Sequence, residues 1–180
     1  MTPNDLKQLE TSLIPLLKQW NISSILCLSP SYEEFQLIKE MSHEMSHRSQ
    51  KILSLNYSVR TDWDLNTVSK QYADLIIACN VMMYSNNPKL WFDNIMKSCH
   101  TFLCQDVISR QRSDNSEFGQ DGDSMRFRFD GDGDWHVGRD VNAFDVSSLP
   151  YKLSNLRIYD GTPNIFCPNP VHFIVELRNG

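Results

Sequence analysis

A strand pattern and a helix start meet in Tyr72-Ala-Asp-Leu-Ile-Ile-Ala-Cys-Asn-Val-Met-Met-Tyr-Ser-Asn-Asn-Pro88. The apolar run at 73–80 is short and bounded by polar residues, which is typical of a buried strand. Asn86-Asn87-Pro88 then begins a helix, because asparagine caps helices and proline suits their first turn. A buried strand that leads into a helix is the repeating unit of a parallel α/β sheet.

The same alternation continues on both sides of this segment. Helices are expected at about 4–19, at about 31–47 and after Pro88. Strands are expected at about 22–29, 51–57, 73–80 and 101–108. Ser31 is the expected cap of the second helix, with Glu33 and Glu34 in its first turn, where the helix dipole favours acids.

The middle and the end of the chain modify this pattern. Only fifteen residues separate Tyr57 from Ala73, which is too few for a further full strand–helix unit, so the sheet is trimmed in the middle. Asp160-Gly161 is a turn signal between candidate strands at 155–159 and 171–177, which predicts an antiparallel C-terminal pair. The prediction is one α/β domain over residues 1–180, Rossmann-like and mostly parallel.

A long polar segment interrupts the domain at about 113–145. Between Asp114 and Asp140 it holds eight acidic residues, three arginines and five glycines. Long loops in compact domains often carry function, so we interpret this segment as a lid or insert beside the strand ends.

Glycine is absent from the chain before Gly119. Parallel sheets bind ligands at the carboxyl ends of their strands, usually across a glycine turn that lets the backbone approach the ligand. Here the turn after the first strand is Ser29-Pro30-Ser31-Tyr32. The sequence therefore predicts the parallel α/β sheet of a cofactor-binding protein without the glycine turn that such proteins usually have.

Composition excludes several classes of function. With a net charge of −5, the chain has no excess of basic residues that would indicate binding to nucleic acid. There is no run of 18 apolar residues and no signal segment, so we expect a cytoplasmic protein without a membrane partner. The cysteines are odd in number and form no CxxC pair, which favours reduced, buried thiols.

The order of elements resembles a shortened class I S-adenosylmethionine-dependent methyltransferase. The quoted segment looks like that family's fourth strand, which typically runs "YDLIIASNVLEH…DP" into a helix, and Phe102–Asp106 is similar to its fifth strand. The resemblance covers most of residues 20–110. The chain departs from the family at Cys27-Leu-Ser-Pro-Ser31, where an acidic, glycine-rich turn is usual, and at Asn56, where an acid normally holds the ribose.

The resemblance implies S-adenosylmethionine as a cofactor at the strand ends. Leu28 and Ser29 would lie nearest the methionine part of the cofactor, Asn56 nearest the ribose, and Asp62 and Asp64 nearest the adenine. Asn80 would lie at the mouth of the site, where the methyl group is transferred. Met83 and Tyr84 would also line the mouth, and Trp63 lies where an adenine would stack. Asp106 and Tyr84 are the candidates for proton transfer. The alternative is that Asn80 and Asp106 only satisfy backbone groups at strand ends.

The polar segment offers a substrate clamp, because arginines and carboxylates close together hold polar or anionic groups. The candidate clamp residues are Arg110, Arg112, Asp121, Asp123 and Arg126. The alternative is that Arg126 alternates with Met125 and Phe127 in a half-buried strand, and this pattern favours the alternative.

Two metal motifs also occur, and neither predicts a metal site. His43-Glu-Met-Ser-His47 matches the HExxH zinc signature, but both histidines fall opposite the apolar face of their helix. Asp130-Gly-Asp-Gly-Asp134 lacks the glycine and glutamate that a calcium loop needs, which favours a solvated hairpin tip.

The sequence thus predicts a methyltransferase that uses S-adenosylmethionine on a small or sugar-like polar substrate. The alternative is a degenerate relative that has lost catalysis and serves as a binding or scaffold partner for another protein.

Overall fold

A computed structural model describes residues 1–60, 62–65, 71–82, 85, 88–109, 120–121, 124–127, 144–145, 150–162 and 170–180. The helices are α1 (Pro3–Leu17), α2 (Tyr32–Ser49) and α3 (Pro88–Met96). The strands are β1 (Ser24–Leu28), β2 (Ser54–Ser58), β3 (Ala73–Cys79), β4 (Cys99–Ser109), β5 (Gln120–Asp121), β6 (Ser124–Phe127), β7 (Phe144–Asp145), β8 (Lys152–Asp160) and β9 (Pro170–Arg178).

Six strands form one sheet in the order β2-β1-β3-β4-β9-β8. The pairs among β2, β1, β3 and β4 are parallel, and β9 runs antiparallel to both β4 and β8. The mostly parallel sheet with an antiparallel C-terminal pair is therefore confirmed. The short strands β5, β6 and β7 pair with one another in a separate antiparallel arrangement.

Helices cover both faces of the sheet. On one face, α1 and α2 pack on β1 and β3, and the fully buried contacts include Leu13, Ile38 and Ile77. On the other face, α3 packs on β3 and β4 through Trp91 and Phe92. Central strands buried on both faces explain why β1 and β3 are apolar along nearly their whole length. No helix in the described ranges is long and apolar enough to cross a membrane.

The second strand begins later than the sequence predicts. β2 starts at Ser54, because its parallel partner β1 starts at Ser24 and the two residues lie in register. The preceding Lys51 donates from Nζ to the backbone carbonyls of Leu17 and Gln19, which ties this segment to the end of α1. Register with a neighbour, rather than the local apolar pattern, sets this boundary.

The trimmed middle of the sheet is closed by a turn. The described residues between Ser58 and Ala73 contain no strand. Trp63 instead fills the core at 0% exposure, and Asn94 Nδ2 on α3 donates to the carbonyl oxygens of Trp63 (2.7 Å) and Leu65 (3.0 Å). The Trp63 backbone is thus held to α3 and its indole is buried beside the sheet, so Trp63 does not offer an open face for stacking an adenine.

A buried polar network fastens α1 to the carboxyl half of the sheet. Asp5 Oδ1 accepts from the Tyr159 hydroxyl and lies 2.9 Å from His172 Nδ1. Gln105 Nε2 donates to the Asp5 carbonyl at 2.9 Å. Although burial raises the pKa of the Asp5 carboxyl, hydrogen bonds from His172 and Thr2 hold it below its usual range.

Candidate functional site

The sheet has one topological switch point among its parallel strands, between β1 and β3. From β1 the chain crosses to β2 on one side, and from β3 it crosses to β4 on the other. Ligands of open α/β sheets bind in the crevice that forms outside the carboxyl ends at such a point. A cavity of about 230 Å³ lies there, lined by Met1, Ser29, Pro30, Ser31, Glu34, Cys79, Asn80 and Val81. We call it the switch-point cavity.

At the cavity, each of these two strands is followed by a residue with a left-handed backbone conformation. Ser29 follows β1 with φ 41°, and Asn80 follows β3 with φ 57°. This region favours glycine and costs other residues about 1–2 kcal/mol, with asparagine among the better tolerated. Neighbouring strands hold both turns in place: Ser29 N donates to the Ser58 carbonyl (2.6 Å), and Asn80 N donates to the Gln105 carbonyl (2.8 Å). The glycine-free turns thus adopt the backbone conformation that glycine usually supplies.

Glu34 is the buried acid of the switch-point cavity. It belongs to a capping box at the start of α2, in which Glu34 N donates to Ser31 Oγ and Ser31 N donates to Glu34 Oε2. The side chain is 1% exposed, and burial raises its pKa to about 7. A hydrogen bond from the Cys79 thiol to the carboxyl opposes this rise, and Ser29 Oγ nearby is buried without a hydrogen-bond partner.

The cysteines near the cavity are inert thiols. Cys79 donates from Sγ to Gln105 Oε1 at 3.6 Å, and burial raises the pKa values of Cys79 and Cys27 well above the usual range. A thiol acts as a nucleophile only as thiolate, so neither side chain is a nucleophile at neutral pH. Cys99 and Cys104 are also free and buried, which confirms the expected reduced state for these four; Cys167 lies outside the described residues.

Asp106 lies inside β4, where it faces Phe173 of β9 in the register, and it is 0% exposed. Its Oδ2 accepts a hydrogen bond from Met82 N at 2.9 Å. The carboxylate therefore holds the loop that follows β3. This geometry favours the structural alternative for Asp106 over proton transfer to a ligand in the cavity.

The other sequence-predicted cofactor residues are spread along the same edge of the sheet. Leu28 is buried in the core at the end of β1. Asn56 is exposed on the edge strand β2 and pairs with Leu26, so Ser58, and not Asn56, occupies the carboxyl end of β2.

Beyond β2, Asp62 forms an ion pair with Arg60 (Nε–Oδ1 2.5 Å), and the guanidinium lies 4.6 Å above the Trp63 ring. The side chain of Asp64 is partly exposed in the same turn.

None of the predicted substrate residues is among the described residues that line the switch-point cavity. Met83, Tyr84, Arg110, Arg112 and Asp123 lie outside the described residues. Asp121 and Arg126 belong to β5 and β6, where Asp121 pairs with Ser124 and Arg126 with Asp145. The strand around Arg126 agrees with the alternating pattern, and the positions of these two side chains relative to the cavity stay a prediction.

The HExxH match has no zinc-site geometry. His43 and His47 are exposed on α2, and Glu44 between them pairs with Arg48 at 2.7 Å. Among the described residues, no group of three or more histidine, cysteine or acidic side chains could hold a metal. Asp130–Asp134 lies outside the described residues.

Sequence reasoning missed the burial of Glu34 beside the switch-point cavity, because this acid was expected only to favour the helix dipole. The pattern Ser31-x-x-Glu34 is a capping-box signature, and it correctly marks the helix start. It gives no sign that the acid is buried, because burial follows from the packing of α2 on β1 and β3.

Comparison with known proteins supports the fold. Neither a protein-family model nor a curated protein matches the sequence, but solved structures do. A Listeria monocytogenes protein assigned as an S-adenosylmethionine-dependent methyltransferase is similar over 99% of this chain and 100% of its own, with 10% identity and a TM-score of 0.52. Coclaurine N-methyltransferase, bound to N-methylheliamine and SAH, is similar over 96% and 72%, with 8% identity and a TM-score of 0.51.

A third similar structure, the [4+2]-cyclase SpnF, covers 96% of this chain and 80% of its own, with 8% identity and a TM-score of 0.52. This chain has the fold of the class I S-adenosylmethionine-dependent methyltransferases. Because one of these structures is called a cyclase, the fold does not by itself define the reaction.

Proposed function

We propose that this protein binds S-adenosylmethionine at the switch point and transfers its methyl group to a small or sugar-like polar substrate. The observation that carries the proposal is the switch-point cavity between the left-handed turns at Ser29 and Asn80. Strain held at the mouth of a crevice is typical of functional sites. The methyltransferase fold and the SAH bound to a structural relative support the choice of cofactor.

The volume of the cavity indicates which end of the cofactor it would hold. Pockets for whole drug-sized ligands are about 300–1,000 Å³, so a cavity of about 230 Å³ fits one end of such a molecule. The partly polar walls suit the amino-acid end. The nucleoside would then extend over the carboxyl end of β2, toward Ser58, Asp62 and Asp64, with Asn56 below it on the edge strand.

When bound, S-adenosylmethionine supplies an electrophilic methyl group on a sulfonium. The chain's own contribution to such a transfer is mainly positioning, because an aligned nucleophile needs little further help. Asn80 lies at the mouth, and Asp106 fixes the loop after β3 through Met82 N. Met83 and Tyr84, which follow in that loop, are proposed to face the substrate.

The clamp proposal concerns the polar segment. Arg110, Arg112, Asp121, Asp123 and Arg126 would hold the polar groups of the substrate over the strand ends. If they do, neutralising Arg110 and Arg112 together raises the substrate KM and leaves cofactor affinity unchanged. Unchanged KM in such variants would remove the clamp from the proposal.

Calorimetric titration with S-adenosylmethionine and S-adenosylhomocysteine tests the cofactor. We expect stoichiometric binding with a micromolar Kd, or about −8 kcal/mol. Methyl-labelled S-adenosylmethionine with a panel of sugars and small polar molecules then tests the transfer. Absence of binding at millimolar ligand would support the degenerate scaffold instead, and cofactor binding without any transfer would leave a binding protein.

A further inference from the structure

The outer side of β2 is an open edge of the six-stranded sheet. β2 pairs with β1 on one side, and no strand in the described part of the chain pairs with its other side. The described residues between Ser58 and Ala73 contain no strand that could extend the sheet beyond β2. An open edge presents a row of backbone N–H and C=O groups to which a further strand can pair.

The hydrogen bonds between β2 and β1 show which backbone groups the open edge presents. Ser54 N donates to the carbonyl of the residue before β1 at 2.8 Å, and the Ser58 carbonyl accepts from the N–H of the residue after β1 at 2.6 Å. The backbone groups of successive residues in a strand point to alternate sides. The N–H and C=O groups of Leu55 and Tyr57 therefore point away from β1, toward the open edge.

The open edge lacks the features that usually keep edge strands from pairing, which are charged side chains, proline and bulges. The stretch Leu53-Ser-Leu-Asn-Tyr-Ser-Val59 contains no charged residue and no proline, and the register of β2 with β1 has no shift. By contrast, β8 at the opposite edge of the sheet carries Lys152, Arg157 and Asp160, and its register with β9 is irregular. One edge of the sheet is thus protected, and the edge at β2 is not.

The side chains along the open edge are apolar and exposed. Tyr57 is 60% exposed, and Ile52 and Val59, which flank β2, are 86% and 79% exposed. Leu55 and Tyr57 lie on the face of the sheet that α2 covers, where the Tyr57 ring packs 5.4 Å from the Phe35 ring. The outward backbone groups therefore lie beside apolar side chains, and exposed apolar patches of this kind mark interaction sites.

A second copy of β2 fits this edge, because the strand is self-complementary. In an antiparallel pair centred on Asn56, Tyr57 of each copy lies opposite Leu55 of the other, and these residues exchange both of their backbone hydrogen bonds. Leu53 lies opposite Val59, so apolar side chains meet apolar side chains on this face. The two Asn56 residues face each other with their Cα atoms about 4.5 Å apart, and no charges are brought together.

We propose that this protein forms a symmetric dimer through β2, in which an antiparallel pair of β2 strands centred on Asn56 joins the two sheets. Most soluble oligomers of one chain are dimers of this kind, in which both subunits contribute the same surface. The inference goes beyond the function proposed above and does not depend on the cofactor. It is therefore tested on protein without ligand, so its failure is separate from the failure of the proposed function.

Opposite charges at position 56 test both the dimer and its centre. Sedimentation equilibrium would measure self-association of wild type, Asn56→Lys, Asn56→Asp and an equimolar mixture of these two variants. Asn155→Lys is the matched control, because Asn155 is exposed on β8, the opposite edge strand. We expect wild type and Asn155→Lys to dimerise equally. Each Asn56 variant alone should dimerise at least about tenfold more weakly, because like charges face each other, and the mixture should restore a dimer with one copy of each.

Amide hydrogen exchange tests whether the pair uses the open edge. The N–H groups of Leu55 and Tyr57 face away from β1 in the monomer and become hydrogen-bonded in the dimer. Their exchange, resolved by NMR, should slow as the concentration of wild type rises, and it should not change in Asn56→Lys. The N–H group of Asn56 points toward β1, so its exchange should not depend on concentration.

Other results would overturn the proposal. Wild type that stays monomeric would leave the open edge for a strand of another protein. Dimers that persist in both Asn56 variants would place the interface elsewhere on the molecule. A loss of dimer that the mixture does not restore would mean that the charges act on the fold or that the strands pair about another centre. Equal weakening by Asn155→Lys would attribute the effect to net charge.

Discussion

Replacing Glu34 by glutamine should stabilise the free protein at alkaline pH. The pKa of this carboxyl is about 7 in the folded protein, against an ordinary value of 4.5. The Glu34 carboxyl ionises at a lower pH in the unfolded chain than in the folded protein. The free energy of unfolding therefore falls as the pH rises from 4.5 to 7, and this loss of stability is complete above pH 7. The difference between the two pKa values corresponds to about 3 kcal/mol. Glutamine carries no charge and can still accept from Ser31 N, as in other capping boxes.

Urea unfolding at pH 5 and pH 8 measures this effect. At pH 5 the buried carboxyl is mostly protonated in the folded protein, so wild type and Glu34→Gln should differ little in their free energy of unfolding. We expect the advantage of the variant to grow by about 2 kcal/mol between pH 5 and pH 8. Taking the difference between the two proteins cancels every group that titrates equally in both.

The neighbouring Glu33→Gln, at an exposed position of the same turn, serves as the control for general charge removal. A difference between Glu34→Gln and wild type that stays constant within about 0.5 kcal/mol, which is the usual scale of a surface substitution, would refute the reasoning. It would mean that the Glu34 carboxyl is not held in a dry environment.

Three further predictions concern other parts of the molecule. Asp5→Asn should lower the free energy of unfolding by about 3–5 kcal/mol at pH 7, because it breaks the buried pair with His172. The difference from wild type should become smaller as the pH falls below 3.8, where the carboxyl takes up a proton in the unfolded chain. Gln50→Gly should raise stability in urea by about 0.5–1 kcal/mol, since Gln50 ends α2 with φ 53°; a loss would contradict the left-handed cap. His43→Ala with His47→Ala should leave the metal content after dialysis unchanged, and a stoichiometric zinc removed by these changes would restore the zinc-site interpretation.

Local patterns were sufficient to predict the architecture. The apolar run that became β3 is buried on both faces, and Ser31 caps α2 as its sequence context indicates. The Asp160-Gly161 signal correctly placed β8 and β9 as antiparallel neighbours. Each of these features depends on residues close in sequence, which is why periodicity and capping rules find them.

Features set by distant contacts could not be predicted in the same way. The start of β2 depends on its register with β1, and the burial of Trp63 depends on Asn94 of α3. The left-handed turns are held by hydrogen bonds to carbonyls of other strands, such as that between Asn80 N and Gln105 O. An absence of glycine therefore argued against a cofactor turn, although tertiary hydrogen bonds supply the same conformation.

Entry of the cofactor into the switch-point cavity can be tested by a titration of variants in which the cavity is blocked. Pro30→Trp places a large ring in the wall of the cavity, whereas Tyr32→Trp changes a neighbouring side chain that is 76% exposed and does not line it. We expect micromolar binding of S-adenosylhomocysteine to wild type and Tyr32→Trp, and at least about a hundredfold loss in Pro30→Trp, or about 3 kcal/mol. Equal affinity of all three proteins would place the ligand outside the switch-point cavity.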